Sequence, residues 1–311
     1  MNFLFIISGF ILLILGGNWL LKSAVAISLR LQVPKIVIGM TVVSFATSAP
    51  ELIVSVQSAL DGFSDLALSN VIGSNIANLG FVLGITLIIA KIDVQKSFYI
   101  TDWPIMIIAS GMLFFFVTNN STIGRYEGLI LFSFLVIFLI YLLRFQKQAV
   151  VDEMPEDDEL LPNYQTALFF VLGGLGLWGG SELLINGATN LALELGVSER
   201  LIGITVVSIG TSIPELAASI IAVIKKEKAI SLGNLIGSNI FNILAVVGLT
   251  SMITPISIKD NELLSVDIYW MLGISLLILP LVFLPKKMRL ELKSGVILLL
   301  LYILFLYQTI T

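Results

Sequence analysis

Histidine and cysteine are both absent from this chain. That removes Ser-His and Cys-His catalytic arrangements, thiolate and imidazole metal sites, haem ligation and disulfides. Any metal must be held by oxygen ligands, which suits hard cations. Charge is also scarce. Only 12% of the 311 residues are Asp, Glu, Lys or Arg, while 57% are hydrophobic. Soluble domains carry about 25% charged residues. The net charge of −4 comes largely from one loop and says little about partners. A positive leader region is missing too. The start, MNFLFIISGF, runs straight into an apolar stretch, so no cleavable signal peptide is expected.

What the chain does have is long apolar runs. Ten candidate spans lie near residues 3–21, 36–60, 66–90, 103–118, 126–143, 165–192, 201–224, 229–254, 265–285 and 292–310. Each is close to the roughly 20 residues that cross a hydrocarbon core of about 30 Å. The loops after spans 1, 3, 5, 7 and 9 hold 14 of the 17 basic residues, and the other side holds only Arg125, Arg200 and Lys259. The basic side is expected to be cytoplasmic, with both termini outside. The expected fold is an all-α polytopic membrane protein.

One stretch is strongly polar. Residues 151–162, VDEMPEDDELLP, carry six acids and two prolines. This reads as a solvated cytoplasmic linker, 151–163, too short to fold by itself; a weak regulatory cation site is the other reading. It divides a first half, 1–150, from a second, 164–311.

The halves repeat at an offset of 164. Ten of fourteen positions in 39–52 are identical to 203–216, and eight of eleven in 68–78 are identical to 232–242. Gly84 and Thr86 match Gly248 and Thr250. Five spans per half is an odd number, so the second half must enter the membrane upside down. Inverted repeats with a pseudo-two-fold axis in the membrane plane suit alternating-access transporters.

The matched segments carry the chemistry. Thr47-Ser48-Ala49-Pro50-Glu51 recurs as Thr211-Ser212-Ile213-Pro214-Glu215. Glu51 lies ten residues before Asp61, or roughly 15 Å from the end of its span at 1.5 Å per residue. That is near the bilayer middle, where an ionisable group is costly and marks a functional site by default. The prolines are expected to break both helices, near 44–49 and 208–213. Broken helices 2, 3, 7 and 8 are expected around a central ion site. Ser-x-Pro-Glu also reads as a capping box, a role compatible with ion binding. Carbonyls of Ser44 and Ser208, freed by the breaks, and hydroxyls of Thr47, Ser48, Thr211 and Ser212 complete a mixed oxygen set for a hard cation. A second matched pair places Ser74 and Asn78 on one helix face, and Ser238 and Asn242 on another. Ligation is expected there, while Asn75 and Asn239 lie off that face and are assigned to helix contacts. Glycines crowd spans 1 and 6, at Gly9, Gly16 and Gly17 and at Gly173, Gly174, Gly176, Gly179 and Gly180. Close packing is the first explanation, and sliding of these helices past the core is a second role.

These residues resemble the two alpha-repeat signatures of the calcium/cation antiporter superfamily, in its sodium/calcium exchanger branch and prokaryotic type. The signatures are GMTVVSFATSAPEL with SNVIGSNIAN, and GITVVSIGTSIPEL with GNLIGSNIFN. The likeness implies electrogenic exchange of about three Na⁺ for one Ca²⁺. It implies that Glu51 and Glu215 flank Ca²⁺, that Thr47, Ser48, Ser74, Thr211, Ser212 and Ser238 supply hydroxyls, and that Ser44 and Ser208 supply carbonyls. Asn78 and Asn242 complete the polar centre. Some relatives carry Asp at one of these last two positions, and Asn at both argues against a K⁺ requirement. The ions are cargo, and no cofactor, nucleic acid or enzymatic activity is expected. Ca²⁺/H⁺ exchange and a cation channel are the other readings. The unit is expected to work as a monomer in the cell membrane.

Overall fold

The computed structural model describes residues 2–145, 161–196, 210–284 and 286–310, which are helical almost throughout. We label the helices α1 (Asn2–Leu31), α2 (Lys35–Leu60), α3 (Ser64–Ile89), α4 (Phe98–Asn119), α5 (Arg125–Arg144), α6 (Asn163–Glu194), α7 (Ile213–Ile224), α8 (Lys228–Ile253), α9 (Leu263–Phe283) and α10 (Leu292–Thr309). Among the described residues all but α7 are long and apolar enough to cross a membrane. The acidic linker residues 151–160 and Ser208 lie outside the described residues.

Most helix ends fall within a few residues of the apolar runs. Two differ: α7, expected over 201–224, is described as a helix from Ile213, and α1 continues to Leu31 rather than stopping near residue 21. Its extension is held by packing: Ser23, Ala24, Ala26 and Ser28 are all buried, and the Ser23 hydroxyl donates to the Thr166 carbonyl at 2.8 Å. At 30 residues α1 is about 45 Å long, so it projects past the hydrocarbon layer.

Four two-residue strands tie the loops together. β1 (Ile92–Asp93) pairs with β4 (Arg289–Leu290), and β2 (Thr122–Ile123) pairs with β3 (Ile256–Ser257), both antiparallel. β1 and β3 are repeat equivalents, so the first strand of each half pairs with the second strand of the other. Paired strands must share a membrane face. Between β2 and β3 the chain passes α5, α6 and α8, an odd number of crossings. Helix α7 must therefore belong to a further crossing. Ten crossings result, five in each half, and the halves are inverted. Polar contacts also join the basic loop ends. Lys35 pairs with Glu227 at 2.8 Å, Arg289 pairs with Asp93 at 3.0 Å, and Arg30 donates to the Leu161 carbonyl.

Burial separates core from periphery. The most apolar window of α8 is 83% buried and that of α3 is 72%, against 28% for α5, α6 and α10. Phe3, Ile7 and Phe10 of α1 and Leu300, Ile303 and Tyr307 of α10 are exposed, as a lipid-facing surface requires. Helices α1 and α6 meet along their glycines. A Cβ on Gly16 would stand 2.6 Å from the Leu177 nitrogen, and one on Gly173 would stand 2.6 Å from the Leu20 nitrogen. Only glycine lets the two backbones come this close.

The regular α ladder is interrupted in all four central helices, but not always where the prolines suggest. α2 contains a π-helical turn at Gly39–Val43 and then runs unbroken from Ser44 to Leu60, with Pro50 inside it. The expected break at 44–49 is displaced one turn upstream. There the Ser44 hydroxyl shares its one proton between the Gly39 carbonyl at 2.8 Å and the Asn234 carbonyl at 2.9 Å, within the disturbed ladder. α3 and α8 carry matching π-helical turns at Asn78–Val82 and Asn242–Val247. In α7 the interruption falls as expected, with a turn at Thr211 and Ser212 before the helix starts at Ile213. Turns of this π type concentrate at functional sites.

Candidate cation site

The two signature glutamates meet in the middle of the helix core. Glu51 and Glu215 are both 0% exposed, and each lies within electrostatic reach of the other. The chain delivers them on α2 and α7, which enter from opposite faces as the inverted repeat requires. The Ser48 hydroxyl donates to Glu215 Oε1 at 3.4 Å. The hydroxyls of Thr47 and Ser238 face the same carboxylate.

Around them the halves interlock in matched pairs. Thr47 Oγ1 lies 3.3 Å from Ser238 Oγ, and its repeat equivalent, Thr211 Oγ1, lies 3.2 Å from Ser74 Oγ. α2 thus touches α8, and the lead into α7 touches α3, each through a hydroxyl pair. Asn78 and Asn242 are fully buried, one helical turn beyond Ser74 and Ser238, where the π-helical turns begin. Asn75 and Asn239 make the helix contacts assigned to them. Each side-chain amide donates to the other's backbone carbonyl at 3.3 Å, across the pseudo-two-fold axis.

Two residues outside the expected set hold the site. Thr47 donates to Asn234 Oδ1 at 3.1 Å, and Asn234 Nδ2 donates to Ser219 at 3.4 Å. In the first half Asn70 Nδ2 donates to Ser55 at 3.1 Å and to the Glu51 carbonyl at 3.4 Å. The signal was in the repeat. Asn70 and Asn234 are 164 apart, and so are their partners Ser55 and Ser219, just past the window of highest identity.

The expected capping box is not formed. Ser48 sits inside α2, and Ser212 precedes α7 without a side-chain cap bond. Ser44 uses its hydroxyl on backbone carbonyls, and its own carbonyl lies within the continuous helix, where Thr47 Oγ1 also approaches at 3.4 Å. Pro50, which lacks an N–H, leaves the Ala46 carbonyl without a ladder donor.

What remains unpartnered defines the site. Both Glu51 oxygens, Glu215 Oε2, Ser212 Oγ, Asn242 Oδ1 and both polar atoms of Asn78 are buried without a hydrogen-bond partner. Among the described residues the ion pairs of Lys and Arg lie elsewhere, at Glu227, Asp93 and Glu291. Two buried carboxylates without a counter-charge are strongly unfavourable. A hard cation removes that penalty, and carboxylate, hydroxyl and amide oxygens are its ordinary ligands. Among the described residues no group of three or more acidic side chains is placed to hold a metal ion, so neutral oxygens must complete any shell.

Known proteins resemble this chain in sequence and in fold. The sequence profile of the sodium/calcium exchanger protein family matches residues 1–144 and 166–311. The inner membrane protein YrbG of Escherichia coli is 34% identical over 262 residues, covering 80% of this chain and 79% of that one. The sodium/calcium exchanger MaX1 of Methanosarcina acetivorans is 27% identical over 346 residues, covering 98% and 97%. The solved structure of a sodium/calcium exchanger from Methanococcus jannaschii superposes with a TM-score of 0.81 at 28% identity, over 98% of this chain and 97% of the other. Two inverted halves, a paired glutamate centre and a profile match spanning both halves lead to one conclusion: this chain belongs to the sodium/calcium exchanger family.

Proposed function

We propose that the protein exchanges Na⁺ for Ca²⁺ by alternating access, with about three Na⁺ for each Ca²⁺. The observation that carries this reading is the pair of buried glutamates, with unpartnered oxygens, where the inverted halves meet. Glu51 and Glu215 would flank Ca²⁺. The hydroxyls of Thr47, Ser48, Ser74, Thr211, Ser212 and Ser238 and the amide oxygens of Asn78 and Asn242 would share Ca²⁺ and Na⁺ among them. The Ser44 carbonyl joins this set only when its turn opens. Ser208 is its repeat equivalent in sequence and would supply the matching carbonyl. One Ca²⁺ neutralises the two carboxylates, and three Na⁺ leave one net positive charge, so the cycle is electrogenic. The empty site keeps both charges and resists crossing the low-dielectric barrier, which couples the two fluxes.

In this reading both termini face outward, the acidic linker is cytoplasmic and a single chain is the working unit. The glycine seam holds α1 and α6 together as a pair that slides past the core. Support for the ion pair comes from the relatives whose names carry both ions, MaX1 and the Methanococcus jannaschii exchanger.

Proteoliposomes test the proposal. An imposed Na⁺ gradient should drive uptake of labelled Ca²⁺ and generate a membrane potential. Glu51→Gln and Glu215→Gln should each lower that uptake about a hundredfold or more, since removing one partner of a buried charge interaction costs several kcal/mol. Uptake that ignores Na⁺ and follows a pH gradient would replace this reading with Ca²⁺/H⁺ exchange. Single-channel currents without countertransport would replace it with a channel.

A further inference from the structure

The amides beneath the cation site form a chain of fixed polarity. The Asn239 backbone carbonyl can only accept, and Asn75 Nδ2 donates to it at 3.3 Å. That contact fixes the Asn75 carboxamide, leaving Oδ1 as its free end. Only a donor can dock on Oδ1, and Asn242 Nδ2 does so at 3.1 Å. The Asn242 amide is therefore oriented in turn, and its remaining polar atom, Oδ1, is the buried oxygen without a partner. The chain starts at a backbone carbonyl and ends in a side-chain oxygen, so the assignment of each amide's oxygen and nitrogen follows from chemistry.

The repeat-related chain is incomplete. Asn239 Nδ2 donates to the Asn75 backbone carbonyl at 3.3 Å. Asn239 Oδ1 then has no partner, and neither polar atom of Asn78 has one. The two site amides are not equivalent: Asn242 is held oxygen-outward, and Asn78 is not held. All four residues are 1% exposed or less, so bulk solvent does not reach them.

We propose that Asn75 is a positioning residue for exchange, which holds the Asn242 amide with its oxygen available to the transported cation. Asn75 itself lies off the ligand face and touches no ion. The inference rests on the reading of Asn242 as a ligand. Without the Asn75 acceptor the Asn242 amide turns freely and presents its NH₂ group to a cation part of the time. A carboxylate at position 242 has no such wrong end, because both its atoms are oxygens.

The test is rescue, measured as the KM for Ca²⁺ in Na⁺-driven exchange by full-length protein in liposomes. Asn75→Ala is expected to raise that KM about tenfold. In an Asn242→Asp background the same Asn75→Ala change is expected to alter it less than twofold. An equal rise in both backgrounds means a merely structural role and overturns the proposal, as does no rise in the native background. If Asn242→Ala and Asn242→Asp by themselves leave KM untouched, Asn242 is not a ligand and the underlying site reading fails with it. If they shift KM while Asn75→Ala does not, only the role of Asn75 fails. Asn75→Leu, close in volume and without polar atoms, replaces Asn75→Ala in both backgrounds if the alanine variant does not reach the membrane.

Discussion

Gly73 and Gly237 occupy the same place in the two copies of the Gly-Ser-Asn segment, yet the structure separates them sharply. A Cβ on Gly73 meets nothing within 4 Å. A Cβ on Gly237 would stand 2.5 Å from Met40 Cα and 2.6 Å from the Met40 carbonyl oxygen. Carbon atoms rest at about 3.5–4.0 Å, so α8 and the π-helical turn of α2 would have to part by about 1 Å. That movement stretches the 2.9 Å contact from the Ser44 hydroxyl on α2 to the Asn234 carbonyl on α8, while its contact with Gly39 stays within α2. Losing that bond costs about 1 kcal/mol. Overpacking adds about 1–3 kcal/mol, and the better helix propensity of alanine returns about 1 kcal/mol. Gly237→Ala should therefore destabilise the protein by about 1–3 kcal/mol, lowering its melting temperature in detergent by about 2–8 °C. Gly73→Ala should leave melting unchanged or raise it slightly. The assay is thermal unfolding followed by tryptophan fluorescence on the two variants side by side. Equal melting temperatures for the two, or a Gly237→Ala protein as stable as the parent, would refute the contact geometry.

Other consequences are open to direct measurement. The chain has no cysteine, so introduced thiols report without background. Thr122→Cys with Ser257→Cys should form a disulfide under mild oxidant, because their side-chain oxygens lie 3.5 Å apart in paired strands; failure to cross-link would undo the count of ten crossings. Lys35→Ala should destabilise by about 1–3 kcal/mol, since it strands a Glu227 carboxylate that is 17% exposed. The swapped pair Lys35→Glu with Glu227→Lys should recover much of the lost melting temperature, and no recovery would show that the contact is not an ion pair in solution.

Much of this architecture could be read from residues alone. Periodic apolar runs and the sidedness of Lys and Arg gave nearly every span, since both follow from the solvent rather than from partners. The offset of 164 exposed the inversion and brought Glu51 to Glu215. Other features depend on tertiary contacts that a sequence does not print. The end of α1 moved to Leu31 because α6 buries residues that no hydropathy window marks as spanning. The π-helical turn at Gly39–Val43 replaced the break expected at the proline, with Ser44 finding one acceptor in its own helix, Gly39, and one on α8, Asn234. The differing roles of Gly73 and Gly237 were hidden for a deeper reason. Two near-identical segments look alike in sequence even when the halves adopt different conformations. Asn70 and Asn234 were visible as repeat identities, but nothing in their spacing announced that they pin Thr47 and the Glu51 backbone.

The exchanged strand pairs also bear on how the protein is made. Asp93 waits for Arg289, 196 residues later, and Ile123 waits for Ile256, 133 residues later. At about 5–20 residues per second of synthesis, the first of these waits lasts on the order of 10–40 s. During that time the first half is already in the bilayer with both strand edges open at the water surface, where solvent can satisfy them. Its Glu51 has no opposing Glu215, and Thr47 and Ser74 have no partners from the second half. On the proposed reading of the site a half-made chain holds no complete ion cage, and a growing cell would not acquire an uncoupled cation leak from each nascent chain.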